Sequence, residues 1–102
     1  MEMSELESQI FDKLLMSVQA KYHETPLLDA VRVMTQITGL AMRIDEAALH
    51  AAGVTADNVK LTIEMSGSLR HVLDAMLEPH ELTFVTVSGG ILITTQEAAA
   101  RR

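Results

Sequence analysis

The chain of 102 residues has no cysteine, which excludes disulfides, thiolate zinc sites and cysteine nucleophiles. It leaves the compartment open, because small proteins in oxidising spaces need not use them. Aromatic residues make up only 3%, with no tryptophan, one tyrosine and two phenylalanines. The core must therefore be built from Leu, Val, Ile, Ala and the seven Met, whose flexible side chains fill irregular gaps. Basic residues are few as well: 8 Lys and Arg stand against 14 Asp and Glu, a formal net charge of −6. The only basic cluster is Arg101–Arg102. Such a chain repels a phosphate backbone, so no nucleic-acid partner is expected. No apolar run approaches the length of about 18 residues that suggests a membrane helix, so direct membrane insertion is not expected either. The first residues, MEMSELESQ, are acidic and do not read as a signal peptide; work outside the cytoplasm would need an export signal on a longer parent chain.

What is present is a repeated unit. Thr25 to Ile44 reads TPLLDAVRVMTQITGLAMRI, and Leu69 stands 42 positions after Leu27 (69 − 27). At that offset apolar character is kept at Leu27/Leu69, Ala30/Val72, Val31/Leu73, Met34/Met76, Leu40/Leu82 and Met42/Phe84. At roughly 100° per residue, the apolar residues of the first predicted helix cover about 220°. A one-sided surface helix needs a stripe of only about 100° or a little more. The second helix, with Leu69, Val72, Leu73, Ala75, Met76 and Leu77, leaves a similarly narrow polar side. Both helices are therefore expected to be covered from more than one direction.

Ser4, Glu5 and Glu7 can open a lead-in helix whose sticky side is Leu6, Ile10, Phe11 and Leu14. From Met16 to Tyr22 apolar and polar residues alternate, which predicts a strand. Thr25 is expected to cap the first long helix, with Pro26 at its first position, and Gly39 to end it in the left-handed conformation. Leu40 to Ile44 reads as a strand, Asp45 as the cap of a short helix over Glu46 to Ala52, and Val59 to Met65 as the second copy of the first strand. Gly67–Ser68 opens the second long helix and Pro79 closes it. Leu82 to Val87 and Gly90 to Thr95 read as a hairpin around Ser88–Gly89, and Gln96 to Arg102 as a helix-prone polar tail or linker. The expected fold class is α+β: a lead-in helix over 1–14, then a single core over 15–95 made of duplicated βαβ units (β-α-β, β-α-β-β), and a tail over 96–102.

Candidate chemistry is sparse. His71, Asp74 and Glu78 fall on one helical face at spacings of three and four, but a structural zinc site usually needs four ligands with fixed supporting partners. A solvated polar face explains them better, and the same holds for Glu46 and His50. Ser66 and Ser68 flank a glycine at a helix start, where serine is expected as a cap. Gly89–Gly90 lacks the following helix that a phosphate cradle requires. No catalytic residue, metal ligand or cofactor site is expected. What remains is backbone chemistry. The run Gly90 to Thr95 has no proline and no charge, so if it forms a sheet edge, Ile91, Ile93 and Thr95 are the expected protein-interaction residues, through pairing with a partner's strand.

The block ETPLLDAVRVMTQITGLAMRID, then AAGV, then VKLTIEMSGSLRHVLDAMLEPHELTFVTVSGGILITT resembles the secretin and TonB-dependent receptor short N-terminal (STN) domain family, including its relatives of unknown function in large bacterial envelope proteins. The likeness covers Val18 to Thr95. It implies two helices held between a two-stranded and a three-stranded sheet, the Met16–Tyr22 strand pairing with Val59–Met65 and Leu40–Ile44 joining the terminal hairpin. It also implies a non-enzymatic module, excised from a larger protein of the periplasm or cell envelope. Such a module docks onto another protein or a neighbouring domain in signalling or secretion, with self-association allowed. The family often has glycine where this chain has Glu81, the equivalent of Gly39. Glutamate at positive φ costs on the order of 1 kcal/mol, so the exit at Pro79–His80–Glu81 is expected to be built differently. The rival expectation is a small-molecule-sensing domain with its ligand lodged between the two copies; a ligand that raises the melting temperature would favour it.

Overall fold

The structure is a computed structural model that describes residues 12–87 and 89–101. A helical turn at 12–14 leads into β1 (Ser17–Pro26), α1 (Leu27–Thr38), β2 (Met42–Ile44), the short α2 (Glu46–Ala51), β3 (Lys60–Ser68) and α3 (Leu69–Leu77). A 3-10 turn (Glu78–His80), the hairpin β4 (Leu82–Val87) and β5 (Gly90–Thr95), and a short α4 (Gln96–Ala100) complete the chain. Apart from 12–14, the expected lead-in helix lies outside the described residues. No helix among those described is long and apolar enough to cross a membrane.

The fold is α+β with two small sheets, one ordered β1-β3 and the other β2-β5-β4. β1 and β3 are antiparallel, β2 runs parallel to β5, and β4 is antiparallel to β5. α1 and α3 each touch both sheets, which is the covering from two directions that their wide apolar arcs predict. Leu27, Ala30, Met34, Leu69, Val72, Leu73 and Leu77 are almost fully shielded and meet Leu61, Ile91 and Ile93 from the sheets.

The repeat holds at the level of backbone detail. α1 and α3 begin 42 residues apart, and β1 and β3 end 42 residues apart (68 − 26). The first N–H of each long helix is bound by the other copy: Leu27 donates to the Val59 carbonyl at 2.9 Å, and Leu69 donates to the Met16 carbonyl at 2.8 Å. Val59 and Met16 stand just before the partner copy's strand.

This reciprocity corrects one expectation. Thr25 does not cap α1; its hydroxyl points back toward the His23 carbonyl, and Pro26 occupies the cap position without a side-chain bond. Backbone acceptors at Val59 and Ala56 take the Leu27 and Leu28 donors instead, so a capping side chain is not needed. β1 also runs past Tyr22 to Pro26, because a bulge between Tyr22 and Thr25 absorbs an extra residue. In that bulge Glu24 has φ 46 and donates its N–H to the Thr62 hydroxyl. Ser68 and Asp45 do cap their helices, accepting from His71 and Ala48. The second oxygen of Asp45 accepts from the hydroxyl of Thr94, which is fully buried. The tail is helical and docked: Thr95 caps α4, and the Gln96 N–H donates to the Glu81 carbonyl.

Gly39 adopts φ 69 at the end of α1, and Glu81 adopts φ 59 at the corresponding place. The second exit does take another route, through the 3-10 turn carrying Pro79, yet it closes in the same left-handed conformation. Glutamate is strained there. Glu81→Gly is therefore expected to raise stability by about 0.5–1 kcal/mol, read as a melting temperature higher by a few degrees. A lowered melting temperature would contradict the strain.

Candidate interaction surface

β5 is not a rim. It lies between β2 and β4, and its Ile91 N–H and Ile93 carbonyl are engaged by the Ala41 carbonyl and the Asp45 N–H on the β2 side. Ile91 and Ile93 are fully buried and Thr95 is nearly so. These three residues build the core and the α4 cap, and the expectation that they form an exposed edge is corrected. Three residues of β2 suffice to close that side of the strand.

The polar candidates are dispersed. His23, His50, His71 and His80 are all exposed, as are Glu46, Asp74 and Glu78. Among the described residues, no three His, Asp or Glu side chains come together as metal ligands. Ser68 is occupied as a helix cap and Ser66 faces solvent on β3. Tyr22, half-buried against the core, has its phenol pushed up from the ordinary value by burial.

The free backbone lies on the outer strands. β1 carries Lys21, Glu24 and a bulge, β3 carries Lys60 and Glu64, and β2 is three residues long with Arg43 in its middle. Charges, bulges and shortness all blunt a sheet edge against pairing. β4 has none of these protections: its sequence is LTFVTV.

The hairpin register fixes which groups of β4 are free. Val87 pairs with Gly90 across a two-residue turn, and the Gln96 N–H reaches the Glu81 carbonyl. Antiparallel partners exchange bonds at every second residue, so the odd-numbered residues of β4 bond to β5. The N–H and C=O groups of Leu82, Phe84 and Thr86 point away from the sheet. The Gln96 side chain reaches the Leu82 carbonyl at 3.4 Å. Phe84 and Thr86 keep their backbone groups unpaired among the described residues.

Along this rim runs a groove of about 750 Å³ bounded by Thr83, Phe84, Val85 and Thr86, by Leu14 and Leu15, and by Arg70 and Asp74 on α3. Leu15 is 71% exposed. Phe84 and Val85 are half-buried. The rim thus combines unpaired backbone, an apolar wall and a charged flank.

No protein-family model, curated protein or solved structure matches this chain.

A second apolar feature lies on α1. Val33 and Ile37, one helical turn apart, are 41% and 52% exposed, so part of the wide apolar arc remains uncovered. Both belong to the apolar arc of the first helix, which the sequence pattern expects to be covered from more than one direction. Serine at either position is expected to change stability by no more than about 0.5 kcal/mol, checked by urea unfolding. A loss above about 1.5 kcal/mol would show that the side chain is shielded.

Proposed function

We propose that this chain is a non-enzymatic protein-interaction module of STN type, working within a larger bacterial envelope protein in signalling or secretion. The observation that carries the reading is the β4 rim: uncharged, unbulged, with free backbone groups at Phe84 and Thr86 beside exposed Leu15. Strand addition to such a rim supplies affinity through main-chain hydrogen bonds and specificity through side chains in the adjoining groove. The STN resemblance supports the envelope setting, and the layout of two helices between a two-stranded and a three-stranded sheet is the one that resemblance implies.

The test uses the parent protein in cells. A photo-crosslinking residue placed at Thr86 is expected to capture a protein, while the same group at Gln19, exposed on the charged β1 side, captures none. Absence of any protein adduct at Thr86, together with unchanged assembly of the parent in a Thr86→Pro variant, would end the reading.

A further inference from the structure

The geometry points to a second copy of this chain as the occupant of the β4 rim, the two β4 strands pairing antiparallel about a two-fold axis through Val85. The inference rests on the docking reading above and names the partner for that rim. Three observations lead to it.

The rim is self-complementary in register. Its unpaired groups sit at Phe84 and Thr86, symmetrically about Val85. A copy running the other way sets Phe84 opposite Thr86 twice, which satisfies four N–H and four C=O groups by four mutual bonds. A register centred on Phe84 would need the Leu82 carbonyl, which the Gln96 side chain already approaches. The Val85 register leaves that contact intact.

The flank is self-complementary in charge. Arg70 and Asp74, both exposed, stand one turn apart on α3 and border the same groove. Neither is in an ion pair among the described residues. Self-pairing about the two-fold axis would bring the two flanks together and set Arg70 of one copy to meet Asp74 of the other, twice over. A closed interface between identical chains requires such reciprocal contacts.

The overall charge decides where two copies can meet. At −6, they repel one another over most of their surface. The β4 rim carries no charge of its own, and its flank is balanced between one cation and one anion. Leu15 and Phe84 border this groove and would lose solvent on pairing.

Sedimentation of the 102-residue chain from about 10 μM to about 1 mM reads an interface of this small class. The expected result is a reversible dimer. Thr86→Pro removes a donor that faces away from β5, where proline is tolerated within a sheet, and is expected to weaken the dimer about tenfold. Asp74→Arg is expected to weaken it about fivefold, since symmetry breaks two exposed pairs at once. Adding Arg70→Asp to Asp74→Arg is expected to restore it, a rescue that a structural role of either residue would not give. Circular dichroism checks that each variant is folded. If Thr86→Pro is not, Val85→Lys replaces it by setting two like charges face to face on the axis.

A chain that stays monomeric throughout overturns the inference. So does a dimer indifferent to Thr86→Pro or Val85→Lys, or one that the charge swap fails to restore. A dimer that forms only after removal of residues 1–11 also counts against it, because the chain's own N-terminal segment would then hold the rim. A monomer whose Thr86 position crosslinks to a different protein overturns self-pairing and leaves the docking role standing. A dimer whose Thr86 adduct in cells is this chain itself supports self-pairing.

Discussion

Leu73→Ala is expected to lower the unfolding free energy by about 2–5 kcal/mol, the range for removing a fully buried leucine side chain. Leu73 has no solvent exposure and lies on α3, which packs against β3 and β1 of one sheet and β4 of the other. No single neighbour can move in to fill the space, because each is fixed to a different layer. For a domain of this size, each kilocalorie corresponds to about 4–8 °C, so the melting temperature should fall by at least about 8 °C. Total stability of small domains is about 5–15 kcal/mol, and the substitution removes a large share of it. A loss below about 1 kcal/mol in urea unfolding would mean that α3 is not held between two sheets.

Gly90→Ala should be comparably damaging for another reason. A Cβ on Gly90 would collide with the carbonyl oxygen of Ala41 and lie 3.0 Å from its carbon and 3.1 Å from its Cβ. That carbonyl is not free to retreat, since it accepts the Ile91 N–H at 2.9 Å at the start of the parallel β2-β5 ladder. Alanine in place of glycine usually helps by about 0.4–1 kcal/mol through the unfolded chain. Overpacking against fixed backbone costs about 1–3 kcal/mol or more, and here it outweighs that gain. The sign is therefore a net loss, with β2 released from β5. Hydrogen exchange should quicken at the Ile91 and Asp45 amides, whose acceptors lie across this ladder, before it does in β1 and β3. An unchanged melting curve would refute the close approach.

Much of the architecture was legible in the chain. The 42-residue offset could be read because burial preserves apolar character at Leu27/Leu69 and Met34/Met76, all nearly or fully shielded. The strands themselves followed from alternation, whereas their pairing was what the family resemblance implied. What escaped depends on neighbours rather than on pattern. Periodicity shows that Val33 and Ile37 are apolar; it does not reveal that two small sheets run out before covering them. An uncharged strand such as Gly90–Thr95 suits a rim and a sheet centre equally, and the decision lies with β2, three residues placed by a distant segment. The rim that is free, β4, had the same signal in its LTFVTV run. Thr25 failed as a cap because the donors it would have served are met by carbonyls 28 residues (Leu28 to Ala56, 56 − 28) and 32 residues (Leu27 to Val59, 59 − 27) downstream of them, separations beyond any local pattern.

The crossed bonds from Leu27 to Val59 and from Leu69 to Met16 clasp the two repeats together. Cutting the backbone at exposed Gly53 would give two fragments, each lacking the acceptor for its own helix start and regaining it only on recombination. A lone unit of this kind would have to find a twin in order to be stable. The repeat thus supplies, in one polypeptide, a mate that would otherwise have to be met by diffusion.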